Sequence, residues 1–275
     1  MAITAGMVKA LRDKTGLPMM ECKKALTEAG GNEGEAIEIL RKMGAGRIQK
    51  MATREATEGR IACFVDSEKQ RAGIVELRCE TAPVARNQEF AGLAMAIAQA
   101  SAGVDSPAVE TIGAEPVPAD PSKTIATQLD EVFNRMRENM KIARLEQLRG
   151  NIGQYVHHNA QVGVLIEMSG DCSEELKTDL CMHIAALNPP CVRREEADPK
   201  EVEGQKAAFA EQAKGKPAPI VEKIVGGKLN RWYSEFVLLE QPFVKDDKKA
   251  VGDVLKAASP DLTVTRFVRY EVGGT

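Results

Sequence analysis

LRDKTGLPMMECKKALTEAGGNEGEAIEILRKMG, residues 11–44, holds three short amphipathic runs separated by glycines, with Met19 and Met20 at the entrance of the middle run. Helix start and stop signals frame each run. Thr4 is placed to cap a first helix whose Met7, Val8 and Leu11 share a face, and Gly16 supplies a left-handed terminator. Pro18 suits a first helical position, where its missing N–H would be unpaired anyway. Behind it Met20 and Leu26 part from Lys23 and Lys24 into an apolar and a basic face, until Gly30 and Gly31 stop the helix. Asn32 followed by Glu35 resembles a capping box and opens a third helix with Ile37, Ile39, Leu40 and Met43, ending at Gly44. So small a module lies below the roughly 70–80 residues at which a lone core becomes secure, which suits a docking head better than a catalytic domain. Met19 and Met20 are either filler of this thin core or adaptable contact surface.

The remainder of the 275 residues is ordinary in composition, with 43% apolar and 28% charged residues and a net charge of −3. That balance argues against a broad cationic surface for nucleic acid. No run approaches the roughly 18 apolar residues of a membrane span, and the N-terminus lacks a basic-then-apolar signal peptide, so a cytoplasmic location is expected. Cys22, Cys63, Cys79, Cys172, Cys181 and Cys191 form no C-x-x-C pair and read as free thiols of a reducing compartment. Cys172, Cys181, His183 and Cys191 could be drawn as a metal set, but their spacing is irregular, and Cys181 and His183 sit two apart in a helical pattern, facing different ways.

Outward from the head, residues 1–54 close with a polar connector, Arg47–Arg54, and the pattern then alternates. Ile61–Val65 and Gly73–Cys79 predict a hairpin around the turn Asp66–Gln70, followed by an alanine-rich helix over Glu89–Ala102 with Phe90, Leu93, Met95 and Ile97 as its bulky apolar positions. Gly103–Ser122, with four prolines, reads as a loop. Ile125, Leu129, Phe133, Met136 and Met140 predict one long amphipathic helix over Lys123–Arg149, its interleaved charges forming a solvated salt-bridged face. The strand, strand, helix order then returns over Ile152–Val156, Gln161–Met168 and Glu174–Leu187. Gly73-Ile74-Val75 matches Gly163-Val164-Leu165, and Met95-Ala96-Ile97-Ala98 echoes Met182-His183-Ile184-Ala185. The fold class is thus α+β: the helical head, then a duplicated core of small antiparallel sheets covered by helix, with subdomains at 55–149 and 150–275. Pro199–Lys214 and Pro217–Leu229 interrupt the second copy as a protruding helical hairpin, at about residues 196–229. Trp232–Leu239 and Leu262–Val272 read as strands completing the second sheet, with a short helix at Val251–Ala257 between them.

Nothing here resembles a P-loop, a dinucleotide fingerprint or a nucleophile elbow. His157 and His158 fall in the second hairpin turn, where exposure or a partner contact outweighs general-base work. His183 reads as a satisfied, partly buried histidine. The residues point to a binding protein.

Five separated stretches then converge. Leu11-Arg12-Asp13-Lys14-Thr15-Gly16, Met19-Met20-Glu21-Cys22-Lys23-Lys24-Ala25-Leu26, the segment from Cys79-Glu80-Thr81 to Phe90, His158 to Leu165, and Gln241-Pro242-Phe243-Val244 together resemble elongation factor Ts. That family is the bacterial guanine-nucleotide exchange factor for elongation factor Tu. The likeness covers almost the whole chain in order. It implies a ubiquitin-associated-like head, a two-subdomain core with an inserted hairpin, and no covalent chemistry and no cofactor. It implies elongation factor Tu as partner, with loss of magnesium and GDP before GTP enters. By resemblance, Met19 and Met20 belong to the head's contact with the partner's GTPase domain, and His158 to a contact with another of its domains. Thr81-Ala82-Pro83-Val84 stands where the family carries Thr-Asp-Phe-Val, the segment whose aromatic side chain wedges in near the magnesium. Here Ala82 replaces the acid and Pro83 the aromatic, between unchanged flanks. A structural account has Pro83 end the strand and stiffen the turn before the next helix. A functional account keeps a rigid wedge of smaller area. Some members continue into a C-terminal helix that touches the partner; this sequence has no counterpart up to Thr275. Two other readings stay open: a paralogue that holds elongation factor Tu without driving exchange, and an enzyme using His157, His158 or His183. Self-association through the hairpin is also left open.

Overall fold

The computed structural model describes residues 2–274 and, at position 49, the backbone alone. Helix α1 (Ala5–Thr15) begins where the Thr4 hydroxyl accepts from the Met7 N–H at 3.3 Å, and it ends at Gly16, φ +67°. Helix α2 (Met19–Glu28) starts directly behind Pro18, which serves as its N-cap. Gly30 and Gly31, both at positive φ, turn the chain into α3 (Glu33–Met51), capped by the Asn32 side chain. Val8, Leu11, Cys22, Ala25, Leu26 and Leu40 close over one another as the head's core. Each fully buried leucine contributes about 1.5–3 kcal/mol, so a core this small has little in reserve.

The third helix does not end at Gly44; it runs on to Met51. Gly44 is a contact point rather than a stop, because a Cβ there would lie 2.5 Å from the Asn134 amide nitrogen.

Two compact units divide the chain, Met1–Ala62 with Val75–Glu146 and Val272–Thr275, and Cys63–Ile74 with Gln147–Glu271. Strands β1 (Glu58–Asp66) and β2 (Arg71–Cys79) form the first hairpin. A four-residue helix α4 (Ala82–Ala85) and α5 (Gln88–Gly103) follow. The proline-rich stretch then contains a short 3-10 turn at Ile112–Ala114 and a two-stranded ribbon, β3 (Pro116–Val117) and β4 (Asp120–Thr124). The expected long helix is broken. Helix α6 covers Ile125–Met136, Arg137 takes the left-handed conformation, and Lys141–Arg149 is strand β5, paired beside β2 in the order β1-β2-β5. Its charges also pair differently from a solvated helix face: Arg135 reaches Glu89, Arg137 reaches Glu21 and Arg144 reaches Glu76.

The second copy repeats this order. Strands β6 (Asn151–Val156) and β7 (Val162–Met168) are covered by α7 (Glu174–Leu187). A 3-10 turn at Leu238–Glu240, a ribbon of β8 (Pro242–Phe243) and β9 (Asp246–Ala250), helix α10 (Val251–Ala258) and β10 (Val264–Glu271) complete it. Leu165 on the central strand faces Gln154 of β6 on one side and Val268 of β10 on the other. The ribbons agree in detail: Val117 opposes Asp120 as Phe243 opposes Asp246. The Ile125 N–H donates to the Glu115 carbonyl at 2.9 Å, as the Val251 N–H does to the Gln241 carbonyl at 3.0 Å. The duplication is therefore deeper than strand, strand, helix.

Helices α8 (Pro199–Gln212) and α9 (Ala218–Phe236) form the inserted hairpin. Trp232–Phe236, expected as strand, finishes α9. Trp232 and Phe236, one turn apart, stack at 4.4 Å between ring centroids, and Tyr233 is buried with Val237 and Cys191. That packing overrides the β preference of aromatic residues. The hairpin's two ends meet, since Leu238 N–H donates to Cys191 O at 3.0 Å and Leu239 N–H to Val192 O at 3.2 Å. Among the described residues no helix is long and apolar enough to cross a membrane.

Candidate functional site

Met19 and Met20 are the first two residues of α2 and both face outward, 49% and 73% exposed. The head's core forms without them, so core filler is not their use. Leu17, Cys22 and Leu26 take the buried positions instead. Just behind them, Glu21 is gripped by two guanidiniums, Arg47 at 3.0 Å and Arg137 at 2.5 Å. Partial burial pushes the Glu21 carboxyl up, but Arg137 and Arg47 outweigh that and hold it below its usual value. The carboxylate thus stays charged and α2 stays oriented.

Thr81 caps α4, and Pro83 sits at its second position, where a proline needs no N–H partner. Strand β2 has already ended at Cys79, so Pro83 stiffens a helical turn rather than terminating the strand. Pro83 is exposed, while Ala82 and Val84 are half-buried and Ala85 is buried. A four-residue helix has almost no stability of its own. This one is held from outside. The Thr81 N–H donates to Glu138 Oε2 at 3.0 Å and the Thr81 hydroxyl to Glu138 Oε1 at 2.5 Å. At the far end Arg60 Nη1 donates to the Ala85 carbonyl at 3.4 Å, and the Arg60 Nε finds no partner among the described residues. The Cys79 thiol donates to the Thr81 carbonyl at 3.3 Å. Burial, helped by the Glu138 carboxylate, pushes that thiol up to about 12, so it keeps the proton it donates.

Met19, Met20 and Thr81–Val84 all belong to the first unit, and the turn after α6 touches both neighbourhoods through Arg137 and Glu138. Sequence reasoning did not single out Glu138 or Arg60. No local pattern marks either, because Glu138 meets a partner 57 residues away and Arg60 one 25 residues away.

His158 belongs to the second unit, exposed in the turn between β6 and β7. Its ring lies 4.2 Å from that of His157, whose Nδ1 is 2.8 Å from the Tyr155 hydroxyl. Beside this pair an open, mainly apolar hollow of about 490 Å³ is lined by Tyr155, His157, Val162, Met182, Ala185 and Val244. His183 is different in kind: fully buried, with Nε2 2.9 Å from Gln241 Oε1 and Nδ1 accepting from the Val244 N–H at 3.2 Å. Among the described residues, no group of three or more His, Cys, Asp or Glu is placed to hold a metal ion. The arrangement offers apolar contact surface on a braced scaffold, and its one buried histidine is occupied in holding β8.

Comparison with known proteins gives a consistent picture. The family described as Elongation factor TS matches residues 80–274. Proteins named Elongation factor Ts are similar along nearly the whole length: 40% identical in Thioalkalivibrio sulfidiphilus, over 99% of this chain and 93% of that one. The figures are 41%, 99% and 93% for Methylococcus capsulatus, and 42%, 98% and 99% for Prosthecochloris aestuarii.

Proposed function

The chain belongs to the elongation factor Ts family, and from that premise we propose that it binds elongation factor Tu in its GDP form and speeds the release of magnesium and GDP so that GTP can load. The observation that carries this reading is the pairing of an exposed, oriented Met19–Met20 surface with a braced Thr81–Val84 segment that presents Pro83. Physically the action is negative coupling. A factor that weakens nucleotide binding is itself weakened by nucleotide to the same degree, so it departs when GTP enters. No covalent bond is made or broken, and no cofactor is required. Residues 1–54 then serve as the docking head, with 55–149 and 150–275 as the two halves of the core. His158 and the hollow beside it supply a second contact, and the cytoplasm is where such a factor works.

With Pro83 in place of an aromatic, the segment buries less area against a partner, and more of the coupling falls to the head and the second subdomain. The test is GDP release from the cognate elongation factor Tu at rising concentrations of this protein. A rate that climbs to a plateau supports exchange. Tight binding with no acceleration selects the second reading, favoured by the small exposed surface of Pro83: a paralogue that stabilises its partner. In that case Pro83→Phe should restore acceleration.

A further inference from the structure

We propose that the turn Arg137–Glu138–Asn139 is a positioning element that fixes the Thr81–Val84 segment against the helical head, with Glu138 acting through Thr81. The inference rests on the exchange reading above. Each of the three successive residues holds a different neighbour. Arg137 reaches Glu21, directly behind Met19 and Met20. Glu138 receives both the N–H and the hydroxyl of Thr81. Asn139, nearly buried, donates its N–H to Glu80 Oε1 at 2.6 Å and its side-chain amide to the Arg54 carbonyl at 2.6 Å, where the chain leaves α3.

The backbone supplies a second, independent observation. Arg137 closes α6 at φ +60°, with its N–H on the Phe133 carbonyl at 2.7 Å. Glycine adopts that conformation freely and arginine does not. Local stability alone would place glycine here. What arginine adds is a side chain long enough to meet Glu21, so the strained residue is the one that links the turn to the head.

A segment that pushes on a partner works only if its own base does not yield. Charge-assisted bonds to one carboxylate, in fixed geometry, supply that resistance, and small displacements of a contact can cost large factors in rate. Glu138 is thus assigned to the maximal rate of nucleotide release, and Arg137 to the concentration at which the factor takes hold.

The experiment follows release of a fluorescent GDP analogue from elongation factor Tu at increasing concentrations of full-length protein. Glu138→Gln and Thr81→Val should each lower the plateau rate about tenfold, with the half-saturating concentration changed by less than about twofold. The double variant should fall no further than the single ones, since both remove one interaction. Arg137→Gly should keep or raise the melting temperature while raising the half-saturating concentration. Additive losses, an unchanged plateau, or an Arg137→Gly protein that binds as before would overturn the assignment. Should the unaltered protein fail to accelerate release at all, the exchange reading falls by itself. The tie is then decided by amide hydrogen exchange in the free protein. There Glu138→Gln must speed exchange at Thr81, and unchanged protection overturns the positioning role.

Discussion

His183 and Gln241 fix each other. The ring Nε2 lies 2.9 Å from Gln241 Oε1, and because Nδ1 already accepts the Val244 N–H, the proton must sit on Nε2 and point at the glutamine. Gln241 in turn donates its amide to the Glu235 carbonyl at 2.9 Å, at the foot of α9. One neutral tautomer thereby ties α7 to the hairpin and to β8.

That tautomer has a pH signature. Burial pushes the His183 pKa down, although the Gln241 bond works the other way. The unfolded chain therefore binds this proton more readily than the folded one. Stability from this group is complete above the ordinary histidine value of about 6.5 and is lost as the pH falls from there toward the depressed value. His183→Gln should flatten this acid limb in urea unfolding followed from pH 8 to pH 5. It should also cost about 1–3 kcal/mol at pH 8, through the unsatisfied groups it leaves.

Met19 and Met20 lie outside the head's core, so replacing both with alanine should leave the melting temperature within about 2 °C while weakening partner binding by about 1–3 kcal/mol. Calorimetric titration against elongation factor Tu–GDP, alongside thermal unfolding of the free protein, reads both quantities. A large loss of stability with unchanged binding would return the pair to the core.

Glycines separate into those that make room and those that do not. A Cβ on Gly59 would stand 2.4 Å from the Leu77 carbonyl oxygen and 2.9 Å from the Arg78 Cα. Backbone cannot step aside cheaply, so Gly59→Ala should destabilise by about 2–3 kcal/mol in urea. Gly226, inside α9, meets nothing within 4 Å. There alanine should stabilise the helix by about 0.8–1 kcal/mol, seen as slower amide exchange along the hairpin.

Glu76 is fully buried and accepts Arg78 Nε and Arg144 Nε at 2.6 Å each, with the Gly273 N–H at 2.9 Å. Glu76→Ala removes the acceptor shared by two guanidiniums and the Gly273 N–H. A loss of about 3–5 kcal/mol is expected, together with early proteolysis near Val272. Glu76→Gln, which keeps an acceptor, should lose less.

The parts of the fold that announced themselves in the sequence are those set by neighbours in the chain. Thr4, Gly16 and Asn32 act within one helical turn, and each cap is where its residue type placed it. Strand β5 announced nothing, because Lys141–Arg149 is rich in Leu, Glu, Gln and Arg, all good helix formers, and becomes a strand only by lying beside β2. Its separation from α6 depends on a left-handed arginine, which no sequence rule marks as a stop. Trp232–Phe236 shows the reverse, with β-favouring residues held in a helix by one another's rings. For the candidate site, Met19 and Met20 stood out at the start of the middle helix, while Thr81–Val84 stood out through resemblance. Their bracing by Arg137 and Glu138 had no sequence signature, since a carboxylate's partner across tens of residues is decided only when the chain has folded.

The α8–α9 hairpin is closed at its base. Since the chain leaves the core beside Cys191 and returns to it at Val237, the whole excursion behaves as a cassette seated in a single socket. The second repeat keeps the strand order of the first with the hairpin inserted between α7 and β8. Such a segment can be trimmed, lengthened or exchanged between proteins as a self-contained part, which leaves evolution, or a protein engineer, free to change what reaches outward without redrawing the sheet beneath.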